Sequence, residues 1–143
     1  MAERRVWVFF YGSYMNADVL ASLDLVPQRV EIARLAGFDI RIEPLANLVP
    51  SDRDCVYGIL TTATHAELDR LYHHAQHVLG AQYLPEAVLV ETSGGTLRPA
   101  LCYVAPVMTP GPVGPDYLER ILWPARIHGF PEWYIARLES FRP

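Results

Sequence analysis

Hydrophobic positions along this 143-residue chain change their period several times. Val6–Phe10 is an unbroken apolar run of strand length and predicts a first buried strand. Asn16-Ala17-Asp18 carries helix-start chemistry ahead of Val19, Leu20 and Leu23, and Pro27 ends that segment. Val30–Leu35 and Phe38–Ile42 predict paired strands with Ala36-Gly37 as their turn. In the second of them Ile40 and Ile42 alternate with Arg41 and Glu43, the period of a half-buried strand. Pro44–Asp54 reads as a loop, because Asn47, Pro50, Ser51, Asp52 and Asp54 are turn formers.

Cys55–Leu60 predicts a further apolar strand, and Thr61–Thr64 a polar break. Thr64 with Glu67 three residues on is a capping box. It opens a helix that presents Leu68, Leu71 and Tyr72, runs to His77 or Leu79, and stops near Gly80. Ala87–Glu91 and Leu101–Val104 read as strands, with Ser93-Gly94-Gly95-Thr96 as a hairpin turn. Thr109–Pro115 predicts an irregular surface segment. Asp116–His128 and Pro131–Phe141 predict two closing helices, with Gly129 as the stop and Pro131 in a first turn. Strands early and helices late give an α+β class: a small mixed or antiparallel β-barrel with surrounding helices. The expected organisation is one domain over 1–143, with 109–143 a helical C-terminal extension packed on it.

Composition narrows the function classes. The chain is 51% hydrophobic and 20% charged, enough for a sizeable core. Its net charge of −4, with arginines scattered and no lysine, argues against a nucleic-acid surface. The apolar run behind Arg4-Arg5 is too short for a signal-peptide core or a membrane span, so a cytoplasmic protein with no membrane partner is expected. Cys55 and Cys102 lie far apart in apolar surroundings and read as small buried residues. No metal and no cofactor are expected.

Candidate chemistry starts at Tyr11-Gly12-Ser13, where the first strand turns toward a helix. A strand-to-helix turn leaves backbone N–H groups unpaired and pointing one way, which suits an anion or a developing oxyanion. The same tripeptide also serves as a tight turn that merely ends a strand. Four of the five histidines (His65, His73, His74 and His77) crowd the helix after Thr64. His73 and His77, or His74 and His77, share a helical face and could chelate a metal, carry protons, or simply be solvated. Aromatics gather at Trp7, Phe9, Phe10, Tyr11, Tyr14, Phe38, Tyr57, Tyr72, Tyr83 and Tyr103. Trp123, Phe130, Trp133 and Tyr134 are expected to pack the last helices or build a dimer contact.

Taken in order, several segments carry a resemblance. They are the Tyr-Gly-Ser turn, Ala-Arg-Leu-Ala-Gly-Phe-Asp-Ile-Arg-Ile (33–42), Val-Tyr-Gly-Ile-Leu (56–60), Glu-Leu-Asp-Arg-Leu (67–71) and Tyr83. The chain resembles the γ-glutamylcyclotransferase-like superfamily, which includes the AIG2-like proteins, from Val6 to about Val104. The helix at 129–138 is similar to that of bacterial members. The resemblance implies a cavity at one barrel end, with Tyr11, Gly12, Ser13, Tyr14 and Met15 cradling the glutamyl part of a small amino-acid derivative. It implies a monomer or homodimer. The implied reaction is attack of a γ-glutamyl α-amine on its own side-chain amide, giving 5-oxoproline and a released amine.

That reaction needs a proton carrier, which the resemblance supplies as a glutamate in Leu-Asp-x-x-Glu. In this chain Leu68-Asp69-Arg70-Leu71 is followed by Tyr72. A phenol donates a hydrogen bond well but is a poor resting base. The candidate catalytic residues are therefore Tyr72, as donor to a substrate oxygen, and Glu86, as a relocated base that equally fits an exposed strand start. His73 or His74 is a further candidate proton carrier. Three functions follow: a cyclotransferase with a relocated base, a diverged enzyme of a specialised pathway using Tyr72, or a non-catalytic ligand-binding protein.

Overall fold

The computed structural model describes residues 3–143; Met1 and Ala2, which begin the N-terminal stretch considered above, lie outside the described residues. Five strands close into a ring in the order β1-β3-β2-β4-β5. They are β1 (Arg5–Phe10), β2 (Glu31–Ile42), β3 (Ala46–Thr64), β4 (Leu84–Thr92) and β5 (Leu97–Val104). All neighbours are antiparallel except β1 and β5, which meet in parallel at Val8↔Leu101 and Phe9↔Cys102. The expected mixed α+β barrel with surrounding helices is what forms.

Two strands run longer than their sequence suggests. Ala36-Gly37 is an irregularity inside a continuous β2, not a turn between two strands. The register with β3 shifts between Ala36 and Phe38, and Gly37 takes a φ of 89°, open to glycine without steric cost. The segment read as a loop over Pro44–Asp54 is strand from Ala46 onward, because Phe38–Ile42 pairs with Ala46–Pro50. The polar Thr61–Thr64 is not a break either. It pairs with Arg5–Val8, and Thr61, Ala63 and Thr64 are buried there.

Glycine at position 58 is dictated by β1. A Cβ there would stand 2.3 Å from the Phe10 carbonyl oxygen and 2.7 Å from the Phe9 ring.

Helix α1 (Ala17–Ser22) is capped by Asn16, whose side chain accepts from the Asp18 and Val19 N–H groups. Helix α2 (His65–His74) has the anticipated capping box: the Glu67 N–H donates to Thr64 Oγ1 at 3.1 Å, and the Thr64 N–H donates to Glu67 Oε1 at 2.8 Å. It continues as a π-helical turn over Ala75–Leu79 and ends on Gly80, at φ 100°. Its buried side is Leu68, Leu71 and Ala75.

Helices α3 (Pro115–Ile127) and α4 (Glu132–Glu139) close the chain, burying Leu118, Ile121, Leu122 and Ala125 from the first and Tyr134 and Leu138 from the second. Phe130 and Tyr134 pack as anticipated, whereas Trp123 and Trp133 stay half exposed on the surface. Among the described residues no helix is long and apolar enough to cross a membrane.

Candidate functional site

The end of β1 sets the site. After Phe10 the ladder stops, and Ser13–Met15 forms one 3-10 turn in which the Met15 N–H donates to the Gly12 carbonyl at 3.0 Å and the Asn16 N–H to that of Ser13 at 3.0 Å. The N–H groups of Gly12, Ser13 and Tyr14 open this turn, ahead of its first internal bond, so they are the orphan donors that any helical start leaves. Asn16 anchors the turn from behind, its side-chain amide donating to the Arg120 carbonyl of α3 at 3.1 Å. Gly12 earns its place by close approach. A Cβ there would sit 2.8 Å from the Ala46 Cβ at the start of β3.

A hollow opens beside this turn. It is lined by Phe10 to Tyr14, Ala46, Tyr72, Ala75, Leu79, Tyr83, Tyr103 and Tyr117. Its empty space is about 350 Å³, but only about 30 Å³ of that can take the centre of a water molecule, because tyrosine rings crowd it. No carboxylate and no histidine lines it.

Four of the six lining tyrosines are tied to backbone through their hydroxyl groups, which fixes their rings. The Tyr11 hydroxyl donates to the Tyr103 carbonyl at 2.7 Å, and the Tyr14 hydroxyl to the Leu71 carbonyl at 2.6 Å. The Tyr83 hydroxyl donates to the Ala46 carbonyl, and the Ala46 N–H donates to the Tyr117 hydroxyl at 2.9 Å. Burial pushes the Tyr11, Tyr14, Tyr72, Tyr83 and Tyr117 phenols above their ordinary range, because a phenolate loses its hydration there. They are neutral hydrogen-bonding groups at physiological pH.

Five of the seven sequence candidates come together here: Tyr11, Gly12, Ser13, Tyr14 and Tyr72 all line the hollow. Met15 is buried but faces elsewhere and does not line it. Glu86 lies outside as well. Tyr83 lines the hollow, but three residues later β4 has carried the chain away, and Glu86 is exposed opposite Cys102.

The histidines divide. His74 Nδ1 sits 3.0 Å from the Tyr14 hydroxyl, just behind the hollow. Since that hydroxyl gives its proton to Leu71, Nδ1 is the donor in the pair. Burial lowers the His74 pKa, with Arg120 adding to the effect. His73 and His77 are exposed, with ring centroids 4.2 Å apart. Among the described residues no three His, Cys, Asp or Glu side chains gather closely enough to hold a metal ion. Cys102 is buried, and burial pushes its thiol up to about 12; Cys55, contrary to its sequence reading, is half-exposed.

Sequence reasoning missed Ala46, Ala75, Leu79 and Tyr117 as lining residues. Tyr117 had a usable signal, since it shares a helical face with buried Ile121. Ala46 had none, because the residues that follow it, Asn47, Pro50, Ser51, Asp52 and Asp54, are turn formers.

Comparison with known proteins agrees with this geometry. The family model described as gamma-glutamyl cyclotransferase, AIG2-like, matches residues 8–122. A solved gamma-glutamyl cyclotransferase superposes with a TM-score of 0.80 at 21% identity, covering 98% of this chain and 89% of that one. An uncharacterized protein from Homo sapiens gives 0.81 at 21% identity, over 99% and 90% of the two chains. A yeast gamma-glutamyl cyclotransferase specific to glutathione gives 0.64 at 12% identity, over 96% and 95%. At these identities the solved structures speak for the fold alone. No curated protein matches the sequence. The family match spans the end of β1, the turn, the other four strands and α3 as far as Leu122, and on that ground the chain belongs to the gamma-glutamyl cyclotransferase, AIG2-like family.

Proposed function

We propose that this chain binds a small γ-glutamyl or related amino-acid derivative at the turn formed by Tyr11 to Tyr14, and does not close it to 5-oxoproline through a carboxylate base. One observation carries the reading: the hollow beside the orphan turn amides is walled by tyrosines and contains no carboxylate. N–H groups left without a partner at a helical start suit the ligand's carboxylate. The phenols offer neutral hydrogen bonds to its amide.

Ring closure would require the α-ammonium to lose a proton and the leaving nitrogen to gain one. By the resemblance carried by Leu68-Asp69-Arg70-Leu71, Tyr72 stands where the family pattern has a glutamate. Its phenol is buried and held neutral, so it does not take up the ammonium proton. A second reading rests on the same residue: Tyr72 lines the hollow and can donate to a substrate oxygen, as a diverged enzyme would require.

The test is a panel of γ-glutamyl amides and peptides, followed in parallel by calorimetry and by mass detection of 5-oxoproline. The proposal expects binding tighter than about 1 mM without 5-oxoproline. Absence of binding across the panel overturns it. Turnover to a different product supports the second reading.

A further inference from the structure

The hollow as it stands is too small for the ligand assigned to it. Only about 30 Å³ of it admits the centre of a water molecule, and a glutamyl group is several times larger than a water. Some part of its wall must therefore move. The six lining tyrosines are unequal in their freedom to do so.

The hydroxyl groups of Tyr11, Tyr14, Tyr83 and Tyr117 are bonded to backbone, so each of those rings is pinned at its far end. The hydroxyl groups of Tyr72 and Tyr103 make no hydrogen bond among the described residues, and these two rings are the ones stacked on each other. Tyr72 is also enclosed by Tyr14 at 5.5 Å and Tyr83 at 5.8 Å. Tyr103 has the Tyr72 ring as its one aromatic neighbour among the described residues. Its backbone is held in place, because its carbonyl accepts from the Tyr11 hydroxyl and its strand is paired with Pro85 of β4. Only its side chain is free to turn.

The ring also has a place to turn into. On the far side of the stack lies a groove with about 330 Å³ open to water, which Tyr72, Tyr83 and Tyr103 share with Asp69, Gln76 and Gln82. Asp69 takes part in none of the ion pairs among the described residues. It lies close enough to Tyr103 for its charge to raise that phenol, after the larger effect of burial. A carboxylate there can accept the Tyr103 hydroxyl once the ring has swung outward.

Resting on the binding reading above, we propose that Tyr103 is the gate of the hollow: its ring shuts the hollow by stacking on Tyr72, and opens it by swinging into the groove, where Asp69 holds its hydroxyl. A ring stack favours the shut state and a charge-assisted hydrogen bond the open one, contacts of the same order of strength. A ligand enters only the open state, so the fraction of open molecules scales its apparent affinity. The gate belongs to this chain's own sequence, because a glutamate at position 72 offers Tyr103 no ring to lie on.

Three forms of the full chain test this without ligand: wild type, Tyr103→Ala, which removes the ring, and Tyr103→Phe, which keeps it. Amide hydrogen exchange is read by NMR at Ser13 and Tyr14, whose N–H groups have no partner within the turn, and at Ile59 of β3 as the control. Ser13 and Tyr14 are expected to exchange about ten-fold faster in Tyr103→Ala, and no faster than wild type in Tyr103→Phe, with Ile59 unchanged in both. Relaxation dispersion at the tyrosine Cζ atoms, which two-fold ring flips leave unmoved, reads the same motion in wild type, should a variant fold poorly. Tyr103 is expected to show microsecond-to-millisecond exchange there, and pinned Tyr83 none. Turn amides that ignore Tyr103→Ala, or that quicken only together with Ile59, overturn the gate, as does a Tyr103 ring as still as Tyr83. Stopped-flow mixing with γ-glutamyl-butylamide then separates the two readings. The probe is expected to associate about ten-fold faster with Tyr103→Ala than with wild type, and equal rates overturn the gate alone. No binding to either protein, with the exchange results as expected, overturns the binding reading and leaves the gate standing.

Discussion

The Tyr72 ring lies flat against that of Tyr103, with centroids 3.7 Å apart and planes 11° from parallel. This stack joins α2 to β5 across the mouth of the hollow, and Tyr14 meets Tyr72 edge-on at 5.5 Å. Tyr72 is thus a wall element held among three aromatic neighbours, Tyr14, Tyr83 and Tyr103. Its replacement has structural as well as chemical effects.

Tyr72→Glu is expected to create or raise 5-oxoproline release from a γ-glutamyl amide at least ten-fold, by restoring a carboxylate to the hollow. It is also expected to cost about 1–3 kcal/mol of stability, through the lost ring packing and a buried carboxyl. Mass detection of product and urea denaturation measure the two effects. A folded variant that binds ligand but stays inert would show that position 72 is not where the proton work is done.

Tyr14 links the hollow to α2 through the Leu71 carbonyl and His74. Tyr14→Phe removes both contacts and is expected to destabilise by about 1 kcal/mol. A double-mutant cycle with His74→Ala isolates the imidazole's share, with an expected coupling of about 0.5–1.5 kcal/mol. Additivity of the two substitutions in urea unfolding would show that the pair contributes nothing.

Gly58→Ala drives a methyl group into the Phe10 carbonyl and the Phe9 ring, neither of which has room to give. A loss of about 3 kcal/mol or more is expected. Gly111→Ala serves as the control, since nothing lies within 4 Å of a Cβ there, and its change is expected within about 0.5 kcal/mol. Chemical denaturation midpoints of the two variants decide the matter.

Asp39 is paired with Arg137 at 2.9 Å and with Arg41. Burial alone would raise its pKa, but the bonds to Arg137 and Arg41 outweigh that and hold it below the ordinary value of 3.8. A carboxyl depressed in the folded state stabilises fully above its unfolded pKa and loses that contribution as pH falls through the folded one. Wild type is therefore expected to exceed Asp39→Asn in stability by a constant margin at pH 5–7, and by a shrinking margin below pH 4. Urea titrations at each pH read the difference; a margin that grows on acidification would contradict the pairing.

How far the sequence could be read follows from how local each signal is. Thr64 and Glu67 announce α2 because a capping box is completed within four residues. The Tyr11–Gly12–Ser13 turn stood out for the same reason, being an apolar strand cut short by glycine. The strand at Ala46–Asp54 was hidden because its residues favour turns in isolation. Only the register with Phe38–Ile42, set by the rest of the ring, extends them. Tyr117 reaches the hollow through the packing of α3 on the Ser13–Met15 turn, a relation between residues a hundred positions apart. Glu86 shows the converse. It is close in sequence to lining Tyr83, yet three residues of strand carry it into solvent.

The seam at Val8↔Leu101 and Phe9↔Cys102 gives synthesis a timetable. Strand β1 is made well before β5 but receives that final neighbour only after Cys102 has been made. Until then one side of Val6–Phe10, among the most apolar segments of the chain, has no edge partner, and neither does the side of β4 that β5 will cover. A nascent chain that stalls before residue 100 therefore leaves two strand edges uncovered at once, and truncation there is expected to yield aggregates, read by sedimentation, rather than a smaller folded protein.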